Sequence, residues 1–157
     1  APPITTGLGL GNSGTEALLS GLYEVVERDA TMLAWYSSFE PLKLECTDDG
    51  YESLLKRARA EGLSATALLV TQDIDVPVVA AAVHRDGEWP QFAAGSAASL
   101  DPTDAAQSAL AEALQNWMEL RAMGSDAAAA EEGAIGEYAA DPTPARDFPN
   151  STRSSTA

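Results

Sequence analysis

Cysteine and histidine each occur once in the 157 residues, as Cys46 and His84. A lone cysteine rules out a disulfide framework and a thiolate metal site. A lone histidine leaves no set of ligands for a zinc centre and no supported Ser-His-Asp triad. Lysine is nearly missing too: Lys43 and Lys56 are the only two, and nine basic residues face 24 acidic ones for a net charge of −15. A polyanionic nucleic acid would be repelled by such a chain. No run approaches the ~20 apolar residues of a membrane span, and no basic segment followed by an apolar one opens the sequence. Neither a membrane nor a nucleic acid is therefore expected as a partner, and a cytoplasmic location is. Catalysis, if present, has to rest on carboxylates, arginine, hydroxyls or backbone groups.

What is present is enough for one domain: 45% of residues are apolar, which argues against wholesale disorder. The acid excess with few lysines fits a surface adapted to molar salt, where self-repulsion is screened, and a halophilic source is expected. The chain does not begin with Met, and a processed or partial chain is expected from that.

The patterning predicts a mixed α/β fold (α+β) with amphipathic helices packed on a small sheet of buried strands. Residues 1–14 form a Pro-, Thr- and Gly-rich approach, with Ser13 or Thr15 as N-cap. From Glu16 to about Tyr36, Leu18, Leu22, Val25, Val26, Ala30 and Leu33 recur at helical spacing, which predicts a long helix buried on that stripe. Residues 38–50 read as turns. A second helix is expected over Tyr51–Glu61, with Leu54 and Leu55 inward and Gly62 as its stop. Ala65–Thr71 and Val76–His84 read as strands covered on both faces, and Trp89–Ala94 as a third. Asp101-Pro102 opens a third helix that runs through Ala109, Leu110, Leu114 and Trp117 to Gly124. The domain is expected to end near 126, followed over 127–157 by a weakly helical segment and a disordered Pro/Ser/Thr tail.

On the first helix, at 100° per residue, Glu16, Ser20, Glu24, Glu27 and Arg28 fall on one face, away from the leucines. Like charges at i,i+3 and i,i+4 cost a few tenths of a kcal/mol each, and Glu24 with Arg28 returns one such increment. Mg²⁺ would neutralise the excess, since this hard ion takes carboxylate oxygens and completes its shell with water and phosphate. The competing reading is a solvated face in an acidic protein. Gly9-Leu-Gly11-Asn-Ser-Gly14 matches GxGxxG, yet only eight residues precede it, too few for the strand a dinucleotide site needs. The glycines are instead read as a loop that lets backbone approach a ligand or pack closely.

The string Thr6-Gly-Leu-Gly-Leu-Gly-Asn12, followed by Glu16, Glu24-Val-Val-Glu27-Arg28-Asp29-Ala30 and Trp35-Tyr36, resembles the YcaO family. The similarity continues through Asp75-Val-Pro-Val-Val-Ala, Gly95-Ser-Ala-Ala-Ser-Leu-Asp-Pro and Ala109-Leu-Ala-Glu112-Ala-Leu-Gln115. The resemblance implies an ATP- and Mg²⁺-dependent enzyme. Such enzymes pass phosphate to a peptide amide oxygen, so that a Cys, Ser or Thr side chain, or external sulfide, replaces it and yields an azoline or a thioamide. It implies that Asn12, Glu16, Glu24 and Glu27 bind Mg²⁺ and nucleotide with Arg28 near the phosphates. Together with Ser20 on the same face these are the expected cofactor-binding residues, and Glu16, Glu24 and Glu27 the expected metal ligands. The partners it implies are a peptide or protein substrate, a protein that delivers it, and a second copy of the chain. The family's earlier acidic motif and its Gly- and Lys-containing segment do not occur in this chain, which thus looks like the C-terminal half of the domain, residues 1–126. Such a half is expected to be inactive alone and to carry apolar surface. The alternative is a non-catalytic scaffold or binding module of the same fold.

Overall fold

A computed structural model describes residues 6–37 and 40–124; the segment expected as helix and tail over 127–157 lies outside the described residues. Seven elements follow one another: α1 (Gly14–Tyr36), β1 (Leu42–Lys43), α2 (Asp49–Ala60), β2 (Ser64–Leu69), β3 (Val78–His84), β4 (Phe92–Ala98) and α3 (Pro102–Met123). The strands form one antiparallel sheet in the order β1-β2-β3-β4. It is covered on one face by α2 and α3 and on the other by α1. The mixed α+β architecture agrees with the sequence expectation.

Alternation along β3 divides the core in two. Val79, Ala81 and Val83 point to the larger cluster with Leu110, Leu114 and Trp117 of α3 and Tyr51 and Ala58 of α2. Val78 and Ala80 point the other way, to Val26, Ala30 and Ala34 of α1. Both layers sit close to the sheet because small residues line the contacts. A Cβ on Gly95 of β4 would stand 2.6 Å from both Ala109 O and Ala113 N, so the α3 backbone rests directly on the strand. The helix starts follow from local chemistry. Ser13 caps α1 by accepting from Glu16 N at 3.2 Å, Asp48 caps α2 through Gly50 N and Tyr51 N, and Asp101 caps α3 through Thr103 N. α2 ends at Ala60, capped by Glu61 and followed by Gly62, whose φ of +74° suits a residue without a side chain.

Two expectations are corrected. The stretch read as turns over 38–50 contains β1, a two-residue edge strand pairing Leu42 with Leu69 and Lys43 with Leu68; two residues are too short to show a period. The second correction concerns α1. Val26 and Ala30 are buried as expected, but Leu18, Leu22, Val25 and Leu33 are exposed. The helix is rolled so that its small residues meet a sheet face made of Ala80, Ala98 and Val78, and of its acidic face Glu24 and Glu27 become half-buried while Glu16, Ser20 and Arg28 stay exposed. No helix among the described residues is long and apolar enough to cross a membrane.

Candidate functional site

The roll of α1 sets the site. Glu16, Ser20, Glu24 and Glu27 line a groove of about 640 Å³ together with Leu8, Leu19 and Tyr23, facing Ala97 and Ala98 of β4 and Ser108 of α3. The acidic stripe thus borders an open groove between α1, β4 and α3, with Glu24 and Glu27 half-buried and Glu16, Ser20 and Arg28 exposed. Asn12 and Arg28 are not among the groove-lining residues.

The carboxylates are held by different partners. Glu16 Oε2 accepts from Asn12 N at 2.8 Å, and Glu24 Oε2 from Gly7 N at 3.0 Å. Both pin the glycine arm, residues 7–12, back along α1. The arm fits because it lacks side chains. A Cβ on Gly9 would run into Ala17 O and Gly21 N, and a Cβ on Gly21 would stand 2.6 Å from Gly7 O. The close-packing reading of the glycines describes this segment, and Gly7 itself has φ +84°. Glu24 Oε1 also accepts from Arg28 Nε at 3.0 Å, an exposed i,i+4 pair that contributes a few tenths of a kcal/mol.

Glu27 is different. Its Oε1 accepts from Ser96 Oγ on β4 at 2.7 Å, while Ser96 N donates to Glu112 Oε2 on α3 at 3.2 Å. One serine thus links a carboxylate on α1 to a carboxylate on α3. Burial pushes the Glu27 carboxyl above its ordinary range; the Ser96 hydrogen bond opposes this, Glu112 adds to it, Arg28 opposes it, and Glu24 adds a last increment. Glu112 belongs to a patch that sequence reasoning passed over as a site, although the string Ala109-Leu-Ala-Glu112-Ala-Leu-Gln115 had been singled out. A helix face says nothing about which strand lies across from it. Four residues along α3, Asn116 Nδ2 donates to Ala94 O at 2.8 Å. Glu112 and Asn116 together satisfy backbone groups on the open edge of β4.

The expected three-carboxylate metal set is not preassembled: among the described residues no three of His, Cys, Asp and Glu are grouped to hold an ion. The reason is visible in the bonds above, since Glu16 and Glu24 are drawn onto the arm and Glu24 onto Arg28 as well. Arg121, the nearest arginine to the Glu112 string, also serves elsewhere. It pairs with Glu61 at 2.8 Å and lies over the Trp117 ring at 5.2 Å.

The donor set still fits a hard cation. It consists of carboxylate and hydroxyl oxygens, the donors such an ion prefers, and Glu112 lies near enough to Glu27 to add to the rise in proton affinity that burial causes there. A family model described as YcaO cyclodehydratase, ATP- and Mg²⁺-binding, matches residues 1–154. An uncharacterised protein from Rhizobium leguminosarum bv. trifolii is 32% identical over 123 residues, covering 70% of this chain and 29% of the relative. A heterocyclase solved in complex with substrate and cofactor superposes with a TM-score of 0.81 at 25% identity, over 99% of this chain and 21% of that one. The YcaO protein of Methanopyrus kandleri, bound with AMPPCP and Mg²⁺, gives a TM-score of 0.76 at 25% identity over 99% of this chain and 41% of that one. The chain spans less than a third of the length of the curated relatives it matches.

Proposed function

Because the chain belongs to the YcaO family, whose members bind ATP and Mg²⁺, we propose that its α1–β4–α3 groove is part of a Mg·ATP site that activates a peptide backbone amide. The observation that carries this reading is the convergence of Glu27 and Glu112, from two helices, on Ser96. In this proposal Glu27 and Glu112 hold one Mg²⁺ ion, Glu16, on an earlier turn of α1, faces a second at the far end of the polyphosphate, and Glu24 orders the glycine arm. Ser20 and the backbone of Asn12 face the nucleotide, and Arg28 lies toward its phosphates. The bound ion supplies charge neutralisation along the polyphosphate.

The residues' own work is positioning. Ser96 fixes the Glu27 carboxylate by donating its hydroxyl proton to it. Glu24, by holding Gly7 N, keeps the arm's backbone over the first turns of α1. The hydrocarbon of Leu8, Leu19 and Tyr23 narrows the groove and limits water around the phosphates. With phosphate passed to the amide oxygen, a Cys, Ser or Thr side chain of the substrate gives an azoline, and external sulfide a thioamide; the groove as described favours neither. The substrate class is a peptide or protein, with a delivery protein and a second copy of the chain as further partners. Residues 1–126 act as the C-terminal half of the catalytic domain, and the acid-rich exterior serves solubility in high salt.

Calorimetry of Mg·ATP binding in high salt tests the reading. The double variant Glu27→Gln, Glu112→Gln is expected to lose at least tenfold in affinity, about 1.4 kcal/mol. Unchanged affinity refutes the assignment.

A further inference from the structure

The single cysteine stands in a pocket of its own, across the sheet from α1. The loop after β1 closes with α2 and β2 around about 500 Å³, over an apolar floor that includes Leu55, Leu63 and Ala67. Half-buried Cys46 and buried Tyr51 stand in its wall. Tyr51 is 4% exposed. Its backbone N–H is taken by Asp48, but its hydroxyl makes no hydrogen bond among the described residues. Among those residues Thr31 Oγ1 is the one side-chain polar atom both sealed from solvent and unpartnered. The Tyr51 hydroxyl therefore still reaches water, and the pocket that it lines supplies the opening. An unpartnered phenol at the edge of a core is a donor left without its acceptor. Burial pushes this hydroxyl above its ordinary value, with Cys46 and then Glu52 adding to the rise, so the thiol lies within electrostatic reach of the phenol.

Charge selects the ligand. Lys43, Arg59, Glu45 and Glu52 all line the pocket, and none of the four forms an ion pair among the described residues. Two cations and two carboxylates left apart around one opening complement a molecule that carries both signs, such as an α-amino acid, better than a simple anion or cation. A cleft of this size takes a small molecule. Cys46 in its wall gives such a molecule a covalent anchor when it arrives as a disulfide.

We propose that this pocket is a site of reversible thiol modification, in which Cys46 exchanges with a low-molecular-weight amino-acid disulfide of the cystine type. The Cys46 thiolate attacks one sulfur of the reagent. A new S–S bond forms to Cys46 Sγ, the reagent's own S–S bond breaks, and the departing thiolate takes up the proton that Cys46 released. Cys46 is oxidised and the departing half is reduced, with the disulfide as the only oxidant. The half that stays turns its carboxylate to Lys43, Arg59 and the Tyr51 hydroxyl, and its ammonium group to Glu45 and Glu52. The pocket shares no lining residue with the α1–β4–α3 groove, so this modification is independent of the nucleotide reading.

The test incubates the 157-residue chain with zwitterionic cystine, cationic cystamine or anionic dithiodiglycolate and follows intact mass over time. One cysteinyl group per chain, removed by dithiothreitol, is expected to form about tenfold faster than either single-sign adduct. In urea the order is expected to change in favour of cystamine, which a net charge of −15 attracts. The double variant Lys43→Glu, Arg59→Glu is expected to make the same change in the folded chain, and Tyr51→Phe to slow the cystine reaction, both with an unchanged circular dichroism spectrum. An unreactive Cys46 in the folded chain, the same order of rates in the folded chain and in urea, or a cystine rate that either variant leaves unchanged would each overturn the proposal.

Discussion

Ser96 and Glu27, 69 residues apart in the chain, meet through a 2.7 Å hydrogen bond from the serine hydroxyl to the carboxylate. This bond joins α1 to β4 and draws Glu27 against the sheet. It also explains why a helix whose leucines could have faced a core turns many of them outward.

Glu27 gives the groove a pH dependence with a definite sign. Burial is the main cause that raises its carboxyl above the ordinary range, so the folded state binds a proton more tightly than the unfolded chain does. Glu27's contribution is therefore most favourable below its unfolded value and is lost as pH rises through the higher folded value. Glu27→Gln is expected to raise the melting temperature at pH 7 and to reduce the gain in stability on acidification through the carboxylate range. Paired melts of the wild type and variant across pH 4–7 check this, and an identical pH profile would count against it.

The glycine arm should yield before the fold does. In Gly21→Ala the new methyl would stand 2.6 Å from Gly7 O, whereas alanine itself favours the helix by about 1 kcal/mol. Hydrogen exchange at the Gly7 and Asn12 amides, now donated to Glu24 and Glu16, is expected to accelerate with little change in global stability. Unchanged protection at both amides would mean that the arm is not seated as described.

The two sides of α1 and the α3 core should respond unequally. Trp117 is buried, donates Nε1 to Pro90 O at 3.0 Å and has the Arg85 and Arg121 guanidiniums over its ring, so Trp117→Ala is expected to cost about 3–5 kcal/mol. Leu22→Ala, on the exposed side of α1, is expected to change stability by no more than about 0.5 kcal/mol. Urea unfolding of both variants distinguishes this orientation of α1 from the leucine-inward one.

Much of this was legible in the sequence. Asp101-Pro102, the alanine and leucine spacing of α3 and the valine run of β3 each state their element locally, because caps and periodicity are local signals. The first helix shows the limit of such reading. Its leucine stripe and its acidic stripe are both plain, but which one faces the sheet depends on the shape of the partner surface, and a sheet floored with Ala80 and Ala98 accepts Ala30 and Ala34 rather than leucine. Glu112 stayed hidden as a site residue for the same reason: its pairing with Ser96 and nearness to Glu27 come from topology, not from spacing.

The central claim is that Mg·nucleotide sits between α1, β4 and α3, and paramagnetic mapping addresses it directly, with Mn²⁺ in place of Mg²⁺. On titrating Mn·ATP into the isotope-labelled chain, line broadening is expected first at the amides of Ser20, Glu27, Ser96 and Glu112, and is expected to vanish there in the Glu27→Gln, Glu112→Gln variant. Broadening spread evenly over the acidic surface, or retained at those amides in the double variant, would contradict the account.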